Sequence, residues 1–229
     1  MDISADQMRV ALLSLIAFVV SVSVHEFGHA FVADRLGDRI PRMQGRLTLS
    51  PLAHIHPIGT ILMPLLGALA PGQFPLLAWG KPVQTNPNNY TRALSPRTGH
   101  LLVSIAGPIM NLLLALVVSV VFVALGKAGV LSPSLASAMI RYLLALNIAL
   151  LFFNLIPVPP LDGGAILGVV LPESLQFINQ FLRRYGMFVL FALFLTGTVR
   201  IFMRPATQLT EAWALALLRL VGVGAGAGA

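Results

Sequence analysis

The hydrophobic pattern divides the chain into long apolar runs separated by short polar, basic or proline-rich stretches. A helix needs about 20 predominantly apolar residues to cross the hydrocarbon core of a bilayer. Four runs meet that length: 8–32, 99–125, 136–157 and 185–203. A last apolar segment, 207–221, carries Glu211 and Arg219 and is typical of an amphipathic interfacial helix or a marginal span. The pattern predicts an all-α polytopic membrane protein with four to six transmembrane helices.

The apolar stretch from Ile58 to Trp79 differs from these runs because glycines and prolines interrupt it repeatedly. Such interruptions favour a re-entrant or interfacial segment over a continuous span. Residues 43–50 and 81–85 on either side have the alternation of short strands. We therefore expect a small membrane-associated β-hairpin and re-entrant segment within about residues 40–86.

Composition supports a lipid solvent, since 57% of the 229 residues are hydrophobic and only 10% are charged. Soluble domains carry about 25% charged residues. The net charge of +7 would suggest nucleic acid in a soluble protein, but here the basic residues lie at the ends of apolar runs. The expected partner is therefore the bilayer, not nucleic acid. Because the chain has no cysteine, disulfides and Cys-based zinc sites are excluded.

Basic residues also predict the orientation. Arg35, Arg39, Arg42 and Arg46 follow the first run, and loops rich in arginine stay in the cytoplasm. This places the N-terminus outside a multi-pass protein of the cell membrane, with no cleavable leader expected. We expect residues 1–206 to form one unit without PDZ or CBS domains, followed by an amphipathic helix or marginal span and a flexible Gly/Ala tail in 207–229.

The first apolar run ends in His25-Glu26-Phe27-Gly28-His29. On a helix, residues four apart project from the same face, so both imidazoles can converge on one metal ion. A glutamate beside them can serve as general base toward a zinc-activated water. Ionisable residues inside a span are costly and usually functional. The alternative is a structural role, in which the two histidines cap the helix or snorkel near the cytoplasmic interface.

Two histidines leave a catalytic zinc ion short of one protein ligand. Asp162 stands out because it follows three prolines that interrupt an apolar run, and Gly163-Gly164 lets the backbone approach closely. A loop aspartate that caps the next helix is the alternative at this position. The other candidates are Asp34, Asp38, His54, His56, His100 and a few glutamates.

The sequence resembles the site-2 protease family of intramembrane zinc metalloproteases, related to peptidase M50. The resemblance rests on HEFGH at 25–29 and NLIPVPPLDGG at 154–164, with further matches at 45–52, 79–83 and 106–111. It implies His25, His29 and Asp162 as ligands of one zinc ion and Glu26 as catalytic base. It also implies an active site inside the membrane, near the cytoplasmic side, and a transmembrane protein as substrate.

Three further residues match the family motifs. Asn154 is expected to support the site or to bond the substrate backbone, with a helix cap as the alternative. Gly107 and Asn111 are expected to serve helix packing, with substrate contact as the alternative. His56 stands where many relatives carry an acid, and both His54 and His56 are interpreted as ordinary loop histidines.

The expected function is regulated intramembrane proteolysis of transmembrane proteins. Two alternatives from other classes stay open at this point. A zinc transporter would need no glutamate base and would show acids or histidines on several spans. An inactive homologue that acts as a membrane-protein scaffold would show a degraded motif, whereas this motif is complete.

Overall fold

The computed structural model describes residues 5–69, 78–91 and 94–222. The α-helices in chain order are α1 Ala5–Arg35, α2 Ile40–Met43, α3 Met63–Leu69, α4 Pro96–Lys127, α5 Pro133–Ala138, α6 Ala145–Asn154, α7 Asp162–Val170, α8 Gln176–Leu195 and α9 Val199–Leu220. Two π-helical turns, Pro57–Leu62 and Met139–Leu144, lead into α3 and α6. Short 3₁₀ turns are Pro51–Ala53, Pro87–Asn89 and Glu173–Leu175.

Three helical stretches of the described chain are long and apolar enough to cross a membrane: α1, α4 and the continuous Pro133–Asn154. They coincide with the first three predicted spans. The fourth predicted span, 185–203, is instead broken between α8 and α9, which are bent by 70°. Gly197 supplies the break with a φ of 71°. The described residues contain four spans only if α8 and α9 together count as one broken span. They do not support a fifth or sixth span.

Helix α4 lies at the centre of the fold and packs against α1, α6 and α7. Its approach to α1 depends on small residues, as expected where lipid removes the hydrophobic drive for association. A side chain at Gly28 of α1 would come within 2.6 Å of Met110 Cγ and 2.7 Å of the Ala106 carbonyl oxygen. Because Gly28 has no side chain, α1 can approach α4 closely, and the neighbouring side chains of α1 can contact α4.

The largest core cluster joins α4 to the stretch 133–154 and to α9. Phe122, Leu144, Ile148 and Leu217 are buried within it. Helix α9 runs continuously across the predicted boundary at 206/207, and its Ala206 and Leu217 belong to this same cluster. This helix therefore packs against the helices that carry the site.

The predicted β-hairpin is not confirmed, because the described residues contain no strand. The segment 78–86 has no regular secondary structure and meets residues near His54 through single backbone bonds, such as Lys81 N–H to the His54 carbonyl at 2.8 Å. A ladder would need repeated bonds, and Pro82 in the middle of 81–85 has no N–H to donate. Part of the predicted re-entrant stretch, 70–77, and the predicted flexible tail, 223–229, lie outside the described residues.

Candidate active site

Helix α1 presents His25 and His29 toward α4, on the face that Gly28 allows to approach closely. The two imidazole rings lie edge to face with their centroids 4.7 Å apart. Their Nε2 atoms are 3.1 Å from each other. The i, i+4 spacing therefore produces the convergence that the sequence predicts.

Asp162 is the first residue of α7 and completes the group. Its Oδ2 lies 3.2 Å from Nε2 of His25, and its Oδ1 lies 3.3 Å from Nε2 of His29. The preceding loop is fixed to α8, because Ile156 and Val158 are buried against Leu190. The proline-rich break therefore places a carboxylate against two histidines of another helix.

The hydrogen bonds on the far side of each imidazole determine which nitrogen carries the proton. Nδ1–H of His25 donates to Oδ1 of Asn111 at 2.7 Å, and Nδ1–H of His29 donates to the Val103 carbonyl at 2.7 Å. Carbonyl oxygens only accept, so in the neutral rings both Nε2 atoms carry lone pairs. Two lone pairs and a carboxylate then face one another at about 3 Å, an arrangement that a cation stabilises.

Asp162 behaves as expected for a metal ligand. Its Oδ2 is buried and receives no hydrogen bond from the described residues. Among the described residues, His25, His29 and Asp162 are the one group of three side chains whose ligand atoms lie within 4.8 Å. Two histidines and a carboxylate are a known zinc ligand set, so the group fits a single zinc ion.

Glu26 lies beside this group and lines the same cavity. Its Oε2 accepts a hydrogen bond from the backbone N–H of Val83 at 2.9 Å. The segment 78–86 therefore lines the cavity and binds the carboxylate of Glu26. This arrangement can place a base next to a metal-activated water.

The cavity has a volume of about 630 Å³ and opens between α1, α4, α6 and α8. Its polar groups are His25, Glu26, His29, His100 and Asp162, together with Thr85, Ser104 and Asn154. The apolar lining includes Phe18, Val22, Val103, Leu150, Phe153 and Leu190. A small polar centre inside an apolar cavity is the usual form of a small-molecule or peptide site.

The structure places the three further predicted residues in different roles. Asn111 bonds the His25 ring, and a side chain at Gly107 would collide with both imidazoles, coming within 2.6 Å of His25 Nε2. Both residues therefore shape the histidine pair as well as the helix contact. Asn154 lines the cavity, and its Nδ2 donates to the Leu150 carbonyl of its own helix at 3.0 Å.

The other candidates for a third ligand lie outside the group. Asp34 binds Arg42 through two bonds of 2.8 and 2.7 Å, and Asp38 accepts the N–H of Asn86 at 2.7 Å. His54 Nε2 lies 2.9 Å from the Thr48 carbonyl. His56 accepts the N–H of Gly59 at 3.1 Å, as the cap of a π-helical turn.

Sequence reasoning missed several groups that bear on the site. The Val103 carbonyl and the Val83 N–H are backbone atoms, and no residue type signals them. Asn147 bonds Asn111, and its signal is a polar amide in an otherwise apolar helix. His100 lines the cavity with a buried Nδ1 that has no partner among the described residues.

Comparison with known proteins gives one consistent family. The sequence profile of Peptidase family M50 matches residues 13–133 and 129–197. A Bacillus subtilis protein named "Putative zinc metalloprotease YwhC" is 34% identical over 186 residues, which is 80% of this chain and 80% of the relative. Proteins named "Putative zinc metalloprotease Rip2" are 32% identical over 193 residues in Mycobacterium tuberculosis strain H37Rv and 33% identical over 204 residues in Mycolicibacterium smegmatis. These alignments cover 83% and 85% of this chain, and 69% and 73% of the relatives.

No solved structure gives a significant match. The profile covers most of the chain, and the relatives share at least three residues in ten over most of both lengths. Multiple apolar helices and a two-histidine, one-aspartate group agree with a membrane metalloprotease that uses one zinc ion. The chain therefore belongs to peptidase family M50, the family that contains the site-2 proteases.

Proposed function

We propose that this chain is an intramembrane zinc metalloprotease of the site-2 type that hydrolyses peptide bonds in transmembrane proteins. In this proposal His25, His29 and Asp162 hold zinc, and Glu26 is the general base. The observation that carries it is the convergence of three side chains with metal-ligating atoms, at separations of 3.1 to 3.3 Å, beside the Glu26 carboxylate in one cavity.

The chemistry follows from these positions. Bound zinc would supply Lewis acidity, which polarises a peptide carbonyl and lowers the pKa of water. Glu26 takes the proton from the attacking water and delivers it to the leaving amine. Because the Val83 N–H engages Oε2 of Glu26, Oε1 is left to accept that proton.

The cavity supports an apolar polypeptide as substrate. Its walls are formed by side chains of membrane helices and by the segment 78–86. A helical substrate shields each peptide carbonyl in a hydrogen bond, so the scissile region must unwind before it reacts. The proposal therefore favours substrates with helix-breaking residues in the membrane.

Charge supports an orientation with the site near the cytoplasmic face. His29 and His25 lie six and ten residues before Arg35, which corresponds to roughly 9 and 15 Å along a helix. Arg39, Arg42 and Arg46 follow at the same end of α1. The positive-inside rule assigns this end to the cytoplasm and the N-terminus to the outside.

The test is cleavage in proteoliposomes of a fluorescent single-span protein whose apolar segment contains an Asn-Pro pair. Wild type, Glu26→Gln and Asp162→Asn are compared, and zinc content is measured by mass spectrometry. We expect the wild type to cleave and to contain one zinc ion. Glu26→Gln should keep zinc and lose activity by about 10² to 10⁴-fold, the usual contribution of general acid–base catalysis. Asp162→Asn should lose both zinc and activity.

Other outcomes would contradict the proposal in distinguishable ways. Equal cleavage by wild type and Glu26→Gln would remove Glu26 from the mechanism. Zinc binding without cleavage, combined with zinc flux across the vesicle, would identify a transporter. Zinc-independent capture of the substrate without cleavage would identify a scaffold.

A further inference from the structure

Three polar side chains from three different membrane helices meet in the interior, next to the zinc group. Ser21 lies on α1, Asn111 on α4 and Asn147 on α6, and each is 0% exposed. Polar groups buried in a membrane protein are costly unless they find partners. Their presence in otherwise apolar helices calls for an explanation beyond packing, because an apolar residue would fill the same space.

The side chains form a chain of hydrogen bonds that begins at a metal ligand. Nδ1–H of His25 donates to Asn111 Oδ1 at 2.7 Å, and Asn111 Nδ2 donates to Asn147 Oδ1 at 3.0 Å. Asn147 Nδ2 then donates to the Leu143 carbonyl at 2.9 Å. Every bond in this chain runs in the same direction, from the imidazole toward the backbone of α6.

The backbone determines that direction. The Leu143 carbonyl can only accept, so the Asn147 amide must turn its NH₂ group toward it and its oxygen toward Asn111. Asn147 Nδ2 also donates to Ser21 Oγ at 2.9 Å, and Asn111 Nδ2 lies 3.3 Å from the Ser21 carbonyl. With both amides fixed in this sense, Asn111 can offer only an oxygen to His25.

We propose that Asn147 is a positioning residue of the metal centre. It acts through Asn111 to hold the proton of His25 on Nδ1, so that the Nε2 lone pair points toward His29 and Asp162. Aligned hydrogen bonds polarise one another, and partners behind a histidine ligand raise its basicity. The proposal rests on the proposed function only in taking His25 as a zinc ligand.

Helix association alone would explain the same bonds, but it makes a different prediction. If these bonds serve helix association alone, loss of Asn147 weakens the contact between α4 and α6 and leaves the His25 tautomer unchanged. Under our proposal, loss of Asn147 leaves Asn111 Nδ2 with the longer bond to the Ser21 carbonyl, at 3.3 Å, which is too weak to exclude an amide rotated by half a turn. Asn111 Nδ2 would then face His25 Nδ1, and the proton would move to Nε2.

The first test reads the tautomer directly in metal-free protein. Long-range proton–nitrogen correlation spectra of histidine-labelled protein in detergent distinguish protonated from unprotonated ring nitrogens, and the chain has only five histidines. A His25→Gln variant assigns the His25 signals. We expect the Nδ1–H form in wild type and in the control Ser119→Ala, whose hydroxyl donates to the Ala115 carbonyl of its own helix. Asn147→Leu should show a substantial Nε2–H population.

The second test measures zinc affinity by competition with a chromophoric chelator. Asn147→Leu should weaken binding by about 10- to 100-fold, the usual cost of losing a partner behind a ligand. Because Asn147 acts through Asn111, adding Asn147→Leu to Asn111→Leu should change the affinity by less than about twofold. If Asn147→Leu does not fold, Ser21→Ala removes one Asn147 bond and should cause a smaller shift in the same direction.

Retention of the wild-type tautomer and zinc affinity in Asn147→Leu would overturn the proposal. Additive effects of Asn111→Leu and Asn147→Leu on zinc affinity would also overturn it. The tautomer spectrum is recorded without metal and without substrate. It therefore decides the role of Asn147 independently of whether the wild type cleaves a peptide bond, and failure to cleave would contradict the proposed function alone.

Discussion

The carboxylate of Glu26 accepts a hydrogen bond from the backbone N–H of Val83, with 2.9 Å between Oε2 and the nitrogen. This contact joins the helix that carries the histidines to the segment 78–86, which lines the cavity. Glu26 therefore has a structural task in addition to the proposed chemical one. The two tasks need different chemical properties, since any acceptor satisfies Val83 but only a base accepts a proton.

Replacement of Glu26 should separate these tasks. Glu26→Gln keeps an acceptor for the Val83 N–H, so we expect wild-type stability and loss of activity. Glu26→Leu leaves that N–H without its partner, which should lower the free energy of unfolding by about 1 to 3 kcal/mol relative to Glu26→Gln. Thermal unfolding in detergent measures the difference. Equal stability of the two variants would mean that the Val83 contact contributes nothing to the fold.

Gly107 gives a second prediction, because its missing side chain makes room for both imidazoles. A methyl group there would collide with His29 and come within 2.6 Å of His25 Nε2. We expect Gly107→Ala to weaken zinc binding by at least tenfold, since distortion of ligand geometry directly affects metal binding. Gly126→Ala is the matched control, because its methyl group would meet Val221 near the other end of α4, away from the histidines. Equal zinc affinities of the two variants would show that the histidines move aside freely.

The sequence was sufficient for those parts of the site that depend on periodicity and residue type. The spacing of His25 and His29 predicts their convergence on one helical face. The resemblance to known proteases supplied Asp162, which spacing alone left as one of several candidates. Three of the predicted spans depend only on apolar length, and they agree with the structure.

The parts that the sequence could not predict depend on tertiary contacts. The Val103 carbonyl and the Val83 N–H are groups that every non-proline residue carries. The predicted strand at 81–85 has no regular secondary structure, because Pro82 and the single bonds to its neighbour leave it without a ladder. The predicted span 185–203 has enough apolar residues, yet Gly197 bends the chain inside it.

Removal of the metal gives a third prediction. The proposed zinc group brings its ligand atoms to separations of 3.1 to 3.3 Å. Treatment with 1,10-phenanthroline should therefore lower the melting temperature of wild type, because a bound ligand stabilises the folded state by mass action. Readdition of zinc should restore the melting temperature. Asp162→Asn should show neither response, and a wild type insensitive to the chelator would contradict a zinc site at this position.

Asp38 gives the last prediction, because it anchors the far end of the segment that holds Glu26. It is 0% exposed and accepts bonds from the N–H of Asn86 at 2.7 Å and from Nδ2 of Asn89 at 2.9 Å. Asp38→Asn turns one acceptor into a donor that faces other donors, so we expect a loss of about 1 to 3 kcal/mol in unfolding free energy.

Asp34→Asn is the matched control for Asp38→Asn. It lies four residues earlier and pairs with Arg42, whose side chain is 61% exposed. Asp34 itself is 10% exposed, but the solvent around Arg42 screens the pair, so this variant should melt closer to wild type than Asp38→Asn does. We also expect Asp38→Asn to lower the cleavage rate with zinc content unchanged, since a looser segment 78–86 holds Glu26 less firmly while the metal group stays intact. Loss of zinc in Asp38→Asn, with stability equal to that of Asp34→Asn, would instead place Asp38 in contact with the metal centre.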